Sequence, residues 1–226
     1  MAALRRLALL GGYAFSAALI CLYVASRQGA LAAALSSLFF LGGFVYLWRR
    51  LHREIGVARA KWEAGRGGEA KALAIVRGLK VARYICVNFE FQSGKKSRCE
   101  TDLLVITEAG IFNIEVKYLA KTVRGEVKAP HWRQGKTTQL RNPLLQVQRS
   151  SHILRQFVRQ AGLGAVDVYS LVYFSHPHAR VEIDGLHPGV FVCFNADALR
   201  GYIREQKAVY ASGDLKGLVE CLRKAQ

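Results

Sequence analysis

The sequence predicts an α/β fold for residues 65–226, preceded by an apolar N-terminal portion. Short runs rich in β-branched residues, which are typical of strands, occur at 84–91, 103–106, 111–116, 166–174 and 190–194. Apolar residues at helical spacing occur between and after these runs, at 69–79, 143–158, 196–205 and 215–225. A further strand is predicted within 118–127, after a bend at Gly125. Strands and helices that alternate along a chain pack as a sheet with helices on its faces.

The N-terminal portion, residues 1–48, contains no Asp or Glu. Its uncharged segments at about 7–26 and 28–48 are interrupted by Arg27 alone. Each segment is long enough to cross a hydrocarbon core of about 30 Å as a helix. We therefore expect a transmembrane helical hairpin, with a cleavable signal peptide as the alternative for the first segment.

Basic residues flank this predicted hairpin on one side. Arg5 and Arg6 precede it, and Arg49 and Arg50 follow it. The positive-inside rule then places both ends in the cytoplasm, as in a multi-pass protein of the inner (cytoplasmic) membrane with the lipid bilayer as a partner. Residues 49–64 predict a basic juxtamembrane helix that binds anionic headgroups or serves as a solvated linker. The glycine-rich residues 65–68 are expected to end that helix, and a new helix is expected to begin near Glu69.

The runs 103–106 and 111–116 predict a β-hairpin with Gly110 in its turn. Pairing Ile106 with Ile111 places Asp102 opposite Glu115. The second run alternates, with one set of side chains on each face of the sheet: Phe112, Ile114 and Val116 on one, Asn113, Glu115 and Lys117 on the other. Facing carboxylates repel each other, so we expect a cation between them.

That cation is either the ammonium group of Lys117 or a divalent metal ion. An Asp followed one hairpin later by Glu-x-Lys is the arrangement that metal-dependent phosphodiester hydrolysis requires. The carboxylates hold the metal, the metal polarises the phosphate, and the lysine steadies the attacking water or the developing charge. The alternative interpretation is a salt-bridge cluster on a sheet edge.

The charge of the chain points to a polyanionic partner. Residues 49–226 carry all but three of the 33 Lys and Arg residues and all 16 Asp and Glu residues. Such an excess favours nucleic acid or an anionic membrane face, and a merely basic surface is the alternative. Nucleic-acid contacts are expected, by stacking or to phosphates, at Trp132, Arg133, Lys136, Arg141 and Arg149. Core packing of Trp132 and solvated arginines are the corresponding alternatives.

Other residues suggest no separate chemistry. The five cysteines form no CxxC pair and are interpreted as buried thiols in a reducing compartment. His176-Pro177-His178 follows a strand and predicts a polar loop. No phosphate-binding glycine loop, dinucleotide-binding motif or zinc-ligand spacing is present in the sequence.

An ordered set of motifs resembles a known family. The set comprises Gly68-Glu69 before an apolar helix, Thr101-Asp102, the run 110–117, Trp132 and Asn142-Pro143-x-x-Gln146. Together these residues resemble the nuclease-related domain, called NERD, of the PD-(D/E)xK nuclease-like superfamily, over about residues 63–175. The resemblance implies a restriction-endonuclease-like core, in which helices flank a mixed sheet of about four strands.

The resemblance also implies a site. The metal ligands correspond to Asp102, Glu115 and the backbone carbonyl of Val116, and the metal to Mg²⁺ (or Mn²⁺). Lys117 corresponds to the catalytic lysine and Glu69 to an acidic residue offered from the first helix. Glu100 leaves the choice of ligand open, because either carboxylate of Glu-Thr-Asp could reach the metal.

Gln146 corresponds to a glutamine that positions phosphate or water beside the site. The sequence therefore predicts a membrane-anchored, metal-dependent nuclease that acts on DNA or RNA, with DNA favoured. The alternative is a catalytically inactive module that tethers nucleic acid or a protein partner to the membrane. The oligomeric state does not follow from the sequence.

Overall fold

A computed structural model of the chain describes residues 2–93, 97–135, 138–185, 189–211 and 214–224. These residues fall into two compact units, Met1–Glu63 and Ala64–Gln226. The helices are α1 Ala2–Gln28, α2 Ala30–Arg77, α3 Pro143–Gln160, α4 Ala196–Glu205 and α5 Asp214–Lys224. The strands are β1 Tyr84–Ser93, β2 Ser97–Thr107, β3 Gly110–Lys117, β4 Val123–Glu126, β5 His131–Gln134, β6 Thr138–Arg141, β7 Val168–Phe174, β8 Val181–Asp184 and β9 Val190–Cys193.

The first unit is a helical hairpin formed by α1 and the first part of α2. The chain reverses at Gly29, whose φ of 87° is readily accessible only to glycine. The two helices contact each other through Tyr13 and Phe40, whose ring centroids are 6.1 Å apart. A side chain at Gly43 would collide with the Tyr13 hydroxyl. The predicted hairpin topology is therefore present.

The membrane prediction is wrong. Among the residues that the structure describes, no helix has both the length and the apolar character needed to cross a membrane. The predicted transmembrane spans, the bilayer as a partner and the location in the cytoplasmic membrane are corrected accordingly. The sequence argument relied on the length of the uncharged segments, which the described helices do not bear out.

Helix α2 continues through the glycine-rich segment to Arg77, so the predicted end of a separate helix at 65–68 is also wrong. The reason is visible at Gly68, which is buried. A Cβ there would lie 2.6 Å from Ser175 Oγ and 3.0 Å from Tyr118 Cβ. Glycine at this position permits close approach of the helix to the sheet and does not terminate the helix.

Five strands form the central sheet in the order β1-β2-β3-β7-β9. The β1–β2 and β2–β3 pairs are antiparallel, and β3–β7 and β7–β9 are parallel, so the sheet is mixed. Ile106 pairs with Ile111, which confirms the predicted hairpin register. At Gly110 the φ is 132°, and a Cβ would lie 2.5 Å from the Asp167 carbonyl oxygen.

A second sheet has the order β6-β5-β4-β8. Only its β4 falls within a predicted strand. All four strands are four residues long and carry few apolar side chains, so their sequence pattern is weak. Trp132 of β5 is 1% exposed, and its Nε1 donates to the Glu126 carbonyl at 2.9 Å. It packs on Gly125, where a side chain would collide with the indole ring. Trp132 is a core residue, so the predicted stacking on nucleic acid is not available to it.

Helices cover both faces of the central sheet. Phe112, Ile114 and Val116 pack with residues of α2 and α4. Ile111 packs on the opposite face, against residues of α3 and α5. The predicted alternation along β3 is thus confirmed, and the fold is α/β with mixed sheets flanked by helices.

Buried polar groups attach α3 to the sheet. The Asn113 amide nitrogen, in the middle of β3, donates to Ser150 Oγ at 2.7 Å and to Ser151 Oγ at 2.8 Å. At the start of α3, Asn142 is the predicted N-cap: its Oδ1 accepts from the Leu144 N–H at 2.9 Å. Hydrogen bonds therefore fix α3 at its N-terminus and at its middle.

Two neighbouring glycines of α2 should respond in opposite directions to alanine. Gly67→Ala meets no atom within 4 Å, so the higher helix propensity of alanine should stabilise the protein by up to about 1 kcal/mol. Gly68→Ala gains the same propensity but collides with Ser175 and Tyr118, and overpacking typically costs about 1–3 kcal/mol. Urea unfolding of the full chain and both variants measures the difference. Equal effects of the two substitutions would contradict the close approach at Gly68.

Candidate active site

Asp102 and Glu115 lie at the open end of the β2–β3 hairpin, away from its turn. The pairing of β2 with β3 extends to Leu103 and Ile114, and one further step places Asp102 beside Glu115. Asp102 Oδ2 accepts a hydrogen bond from the Val116 N–H at 2.7 Å. The hairpin therefore brings Asp102, Glu115 and Val116 together, because its register leaves no other arrangement at this end.

Lys117 lies two residues after Glu115 and donates from Nζ to Glu115 Oε1. The Lys117 side chain is 24% exposed and that of Glu115 is 9% exposed. The ammonium group is thus partly exposed, and the carboxylate that it contacts is nearly buried. Lys117 therefore supplies one of the two cations that we expected beside the carboxylates, the other being a divalent metal ion.

Asp102 shows how unfavourable the concentration of negative charge is. Burial and then the repulsion of Glu115 raise the pKa of its carboxyl to about 6. The Val116 N–H and the Lys117 ammonium oppose this shift but do not cancel it. A bound cation would remove the repulsion, so the site favours a positively charged ligand.

Glu69 approaches from α2, as the resemblance implies. Burial raises the pKa of its carboxyl, with repulsion from Asp102 as the next cause and Glu100 as a smaller one. A hydrogen bond with the side chain of Asn88 acts in the opposite direction. Glu69 is therefore close enough to Asp102 to belong to the same electrostatic cluster, and Glu100 lies within range of both.

Asn88 of β1 is a residue that the sequence interpretation missed. Its φ of 50° is in the left-handed region, which is uncommon for residues other than glycine. Val87 pairs with Leu103 and Phe89 with Thr101, so Asn88 and Asp102 face each other across a gap in the ladder.

The side-chain alternation of β1 is interrupted at this gap. Cys86, Phe89 and Phe91 pack in one core cluster, although regular alternation would place Cys86 and Phe89 on opposite faces. Such irregularities re-aim side chains and are frequent next to active sites. The signal in the sequence is an asparagine, which tolerates positive φ, between the apolar residues Val87 and Phe89.

Gln146 lies in the first turns of α3. Val147 and Ser150 contact the Asn113 amide, and helix geometry places Gln146 one turn before Ser150, towards the end of β3 that carries Glu115. Its Oε1 is buried and accepts no hydrogen bond from the residues that the structure describes. A buried acceptor without a donor is costly, so this atom is available to a ligand that carries a hydrogen-bond donor or a positive charge.

The donor set suits a hard divalent cation. Within the described residues, no group of three or more His, Cys, Asp and Glu side chains is positioned to hold a metal ion. Mg²⁺, however, is commonly bound through one or two carboxylates, with water and substrate phosphate completing its coordination. Asp102 and Glu115 supply that number of carboxylates, and the unpartnered Gln146 Oε1 is a further oxygen at this end of α3.

The residues predicted to contact nucleic acid differ in their exposure. Arg133, Arg141 and Arg149 are exposed at the surface of the domain. Trp132 is buried, as described above, and Lys136 lies outside the described residues. The structure therefore brings together the acidic residues and Lys117. Burial raises the pKa of the Cys99 thiol, and the charge of Arg149 opposes this shift while those of Glu115 and Glu100 add to it.

Replacement of Asp102 should change the pH dependence of stability. Because the pKa of Asp102 is raised from 3.8 to about 6, folding favours its protonated form, and its contribution to stability is lost as pH rises from about 4 to 6. Asp102→Asn keeps an oxygen for the Val116 N–H and removes the charge. In EDTA at pH 7.5 this variant should be more stable by about 1–2 kcal/mol.

At pH 4 the difference should largely disappear, because the wild-type carboxyl is then protonated. Urea unfolding at both pH values measures it. A stability difference that is the same at pH 4 and pH 7.5 would contradict the raised pKa.

Comparison with known proteins identifies one domain. No curated protein and no solved structure shows significant similarity to the chain. A family model does match, and the match covers the cluster of Glu69, Asp102, Glu115, Lys117 and Gln146. Residues 64–175 of this chain belong to the nuclease-related domain family, NERD.

Proposed function

We propose that this protein is a metal-dependent nuclease that hydrolyses phosphodiester bonds of nucleic acid, with DNA favoured over RNA. The observation that supports it is the convergence of Asp102 and Glu115 beside the Lys117 ammonium. Carboxylates that repel each other within a basic domain are unfavourable for a purely structural role. They become favourable when the ligand is a metal ion together with an anionic substrate.

Asp102 and Glu115, with the carbonyl of Val116, would hold Mg²⁺ or Mn²⁺. When bound, the ion supplies Lewis-acid polarisation of the scissile phosphate and acidification of a water molecule. The two carboxylates would fix the position of the ion relative to Lys117. The N–H of Val116 keeps one oxygen of Asp102 engaged, so the other is oriented towards the site.

Lys117 orients the water that attacks the phosphorus and stabilises the negative charge that develops on the phosphate oxygens. Its ion pair with Glu115 keeps the ammonium at the site before substrate binds. Such positioned charges are most effective where water is restricted. The low exposure of Glu115 and Lys117 satisfies that condition.

Glu69 and Gln146 complete the arrangement. Glu69, with its raised pKa, accepts or supplies a proton, or supports the metal, from the helix side. Gln146 uses its unpartnered Oε1 to hold a water molecule beside the phosphate. The exposed Arg133, Arg141 and Arg149 provide phosphate contacts that do not depend on sequence.

A non-catalytic nucleic-acid-binding module is the second candidate. The Glu115–Lys117 ion pair favours it, because each group then neutralises the other without a metal. In this case the acidic cluster is structural, and the basic surface alone binds the polyanion. The two candidates differ in whether the protein, when a metal ion is present, cleaves the nucleic acid or only binds it.

The test is incubation of the full chain with plasmid, single-stranded DNA and RNA in Mg²⁺, Mn²⁺ or EDTA. We expect cleavage that requires the metal. Lys117→Ala should lower the rate at least about 100-fold while nucleic-acid binding is retained, since the lysine acts in the chemical step. Lys224→Ala, on the exposed surface of α5, is the matched control and should cleave normally.

Two outcomes would overturn the proposal. Salt-sensitive binding without cleavage in either metal identifies the non-catalytic module. Cleavage that survives Lys117→Ala unchanged would show that the activity does not arise at this site.

A further inference from the structure

An aromatic and basic surface borders the candidate active site. It consists of Lys71, Tyr118, His176 and His178, and we call it the Tyr118 surface. Lys71 Nζ lies 5.3 Å from the centre of the Tyr118 ring. His176 meets Tyr118 edge to face at 4.8 Å between ring centroids, and His178 lies 5.7 Å from His176. Three rings and one ammonium group thus form a continuous patch.

These side chains are not part of the core. Lys71 and His178 are exposed, and Tyr118 and His176 are half-buried. His176 is held by its backbone, since its carbonyl accepts from the Ala179 N–H at 3.0 Å and its Nδ1 accepts from the His178 N–H at 3.1 Å. The patch is therefore ordered by the fold and presented to solvent.

The Tyr118 surface lies directly beside the candidate catalytic groups. Tyr118 follows Lys117 in the chain, and the Ser175 N–H donates to the Lys117 carbonyl at 3.0 Å. Gly68, the neighbour of Glu69, approaches both Tyr118 and Ser175 closely. A nucleic-acid strand with one phosphate near Lys117 therefore has neighbouring nucleotides within reach of these rings.

The chemistry of the patch fits unpaired bases. Aromatic rings bind single-stranded nucleic acid by stacking, and an adjacent cation contacts the phosphates. The Lys71 ammonium lies over the Tyr118 ring, so a phosphate bound to Lys71 would be next to this ring, and a base that stacks there displaces the ammonium from it. In a duplex the bases are stacked on each other and cannot use the rings.

We propose that the Tyr118 surface binds single-stranded nucleic acid next to the scissile phosphate, with bases stacked on Tyr118 and His176 and a phosphate on Lys71. The inference rests on the proposed function for the identity of the substrate, but the binding itself requires no cleavage. It makes a single strand, or an unpaired end, the preferred substrate of this site.

The test is fluorescence anisotropy of a labelled oligothymidine strand of about 16 nucleotides, and of a duplex of the same length, with the full chain in EDTA. Tyr118→Ala should raise the Kd for the single strand about 5- to 100-fold, the range typical of loss of one stacked base. Tyr118→Phe retains the ring and should bind within about twofold of wild type. Duplex binding should change little in both variants.

Lys71→Ala should weaken single-strand binding and lower the magnitude of its salt slope by about 0.7, since one phosphate contact is lost. Arg223→Ala is the matched control. Arg223 lies 5.1 Å over the ring of Tyr84, in a second cation–aromatic pair, between α5 and β1. Arg223→Ala should leave the single-strand affinity near the wild-type value. If only the total positive charge of the protein mattered, Lys71→Ala and Arg223→Ala would weaken binding equally.

The outcomes separate this inference from the proposed function. Weaker single-strand binding in Tyr118→Ala, restored in Tyr118→Phe, supports the surface even if the wild type cleaves nothing. Metal-dependent cleavage with an unchanged Kd and KM in Tyr118→Ala would overturn the surface and leave the nuclease intact. Equal losses for single strand and duplex would also overturn it, because contact would then be to phosphates alone.

Discussion

The buried amide of Asn113 is the constraint on which the rest of the structure depends. Asn113 is fully buried in the middle of β3, where unsatisfied amide groups are costly. Its oxygen accepts from the Thr101 hydroxyl, and its nitrogen donates to Ser150 and Ser151. These partners lie on β2 and α3, so one side chain fixes both neighbours of β3. Ser170 extends the network to β7 by donating to Ser151 at 2.7 Å.

The candidate site depends on this fixed arrangement because its own electrostatics oppose it. Burial and repulsion raise the pKa of Asp102, which means that the ionised group destabilises the folded chain at neutral pH. A cluster of this kind persists only where surrounding contacts determine its geometry. The apolar packing of Phe112 and Ile114 on one face, and the Asn113 network on the other, provide those contacts.

Departures from regular structure are concentrated around the same cluster. Asn88 has a positive φ opposite Asp102, and Gly68 removes a side chain where α2 approaches Ser175. Backbone strain and close approach of this kind are typical of sites that need side chains in set positions. The Tyr118 surface begins at the same place, so the acidic cluster and the proposed strand-binding rings share one support.

The sequence by itself determined the parts that depend on local pattern. The alternation along β3 and the turn at Gly110 set the hairpin register, and that register alone places Asp102 by Glu115. Asn142 and Pro143 likewise marked the start of α3, because capping is a property of adjacent residues. The long uncharged segments near the N-terminus, however, predicted membrane spans, and no helix among the described residues could form one.

Only the tertiary structure decided what depends on distant neighbours. The segment 65–68 continues α2, and Gly68 has no side chain where the helix approaches Ser175 and Tyr118, which are both distant from it in the sequence. Trp132 became core, and not a stacking platform, because Gly125 lies beneath it. The left-handed backbone at Asn88 and the neighbourhood of Tyr118, His176 and Lys71 arise when separate elements pack together. Periodicity reports which face a residue occupies, whereas contacts between elements are set by the packing of the whole domain.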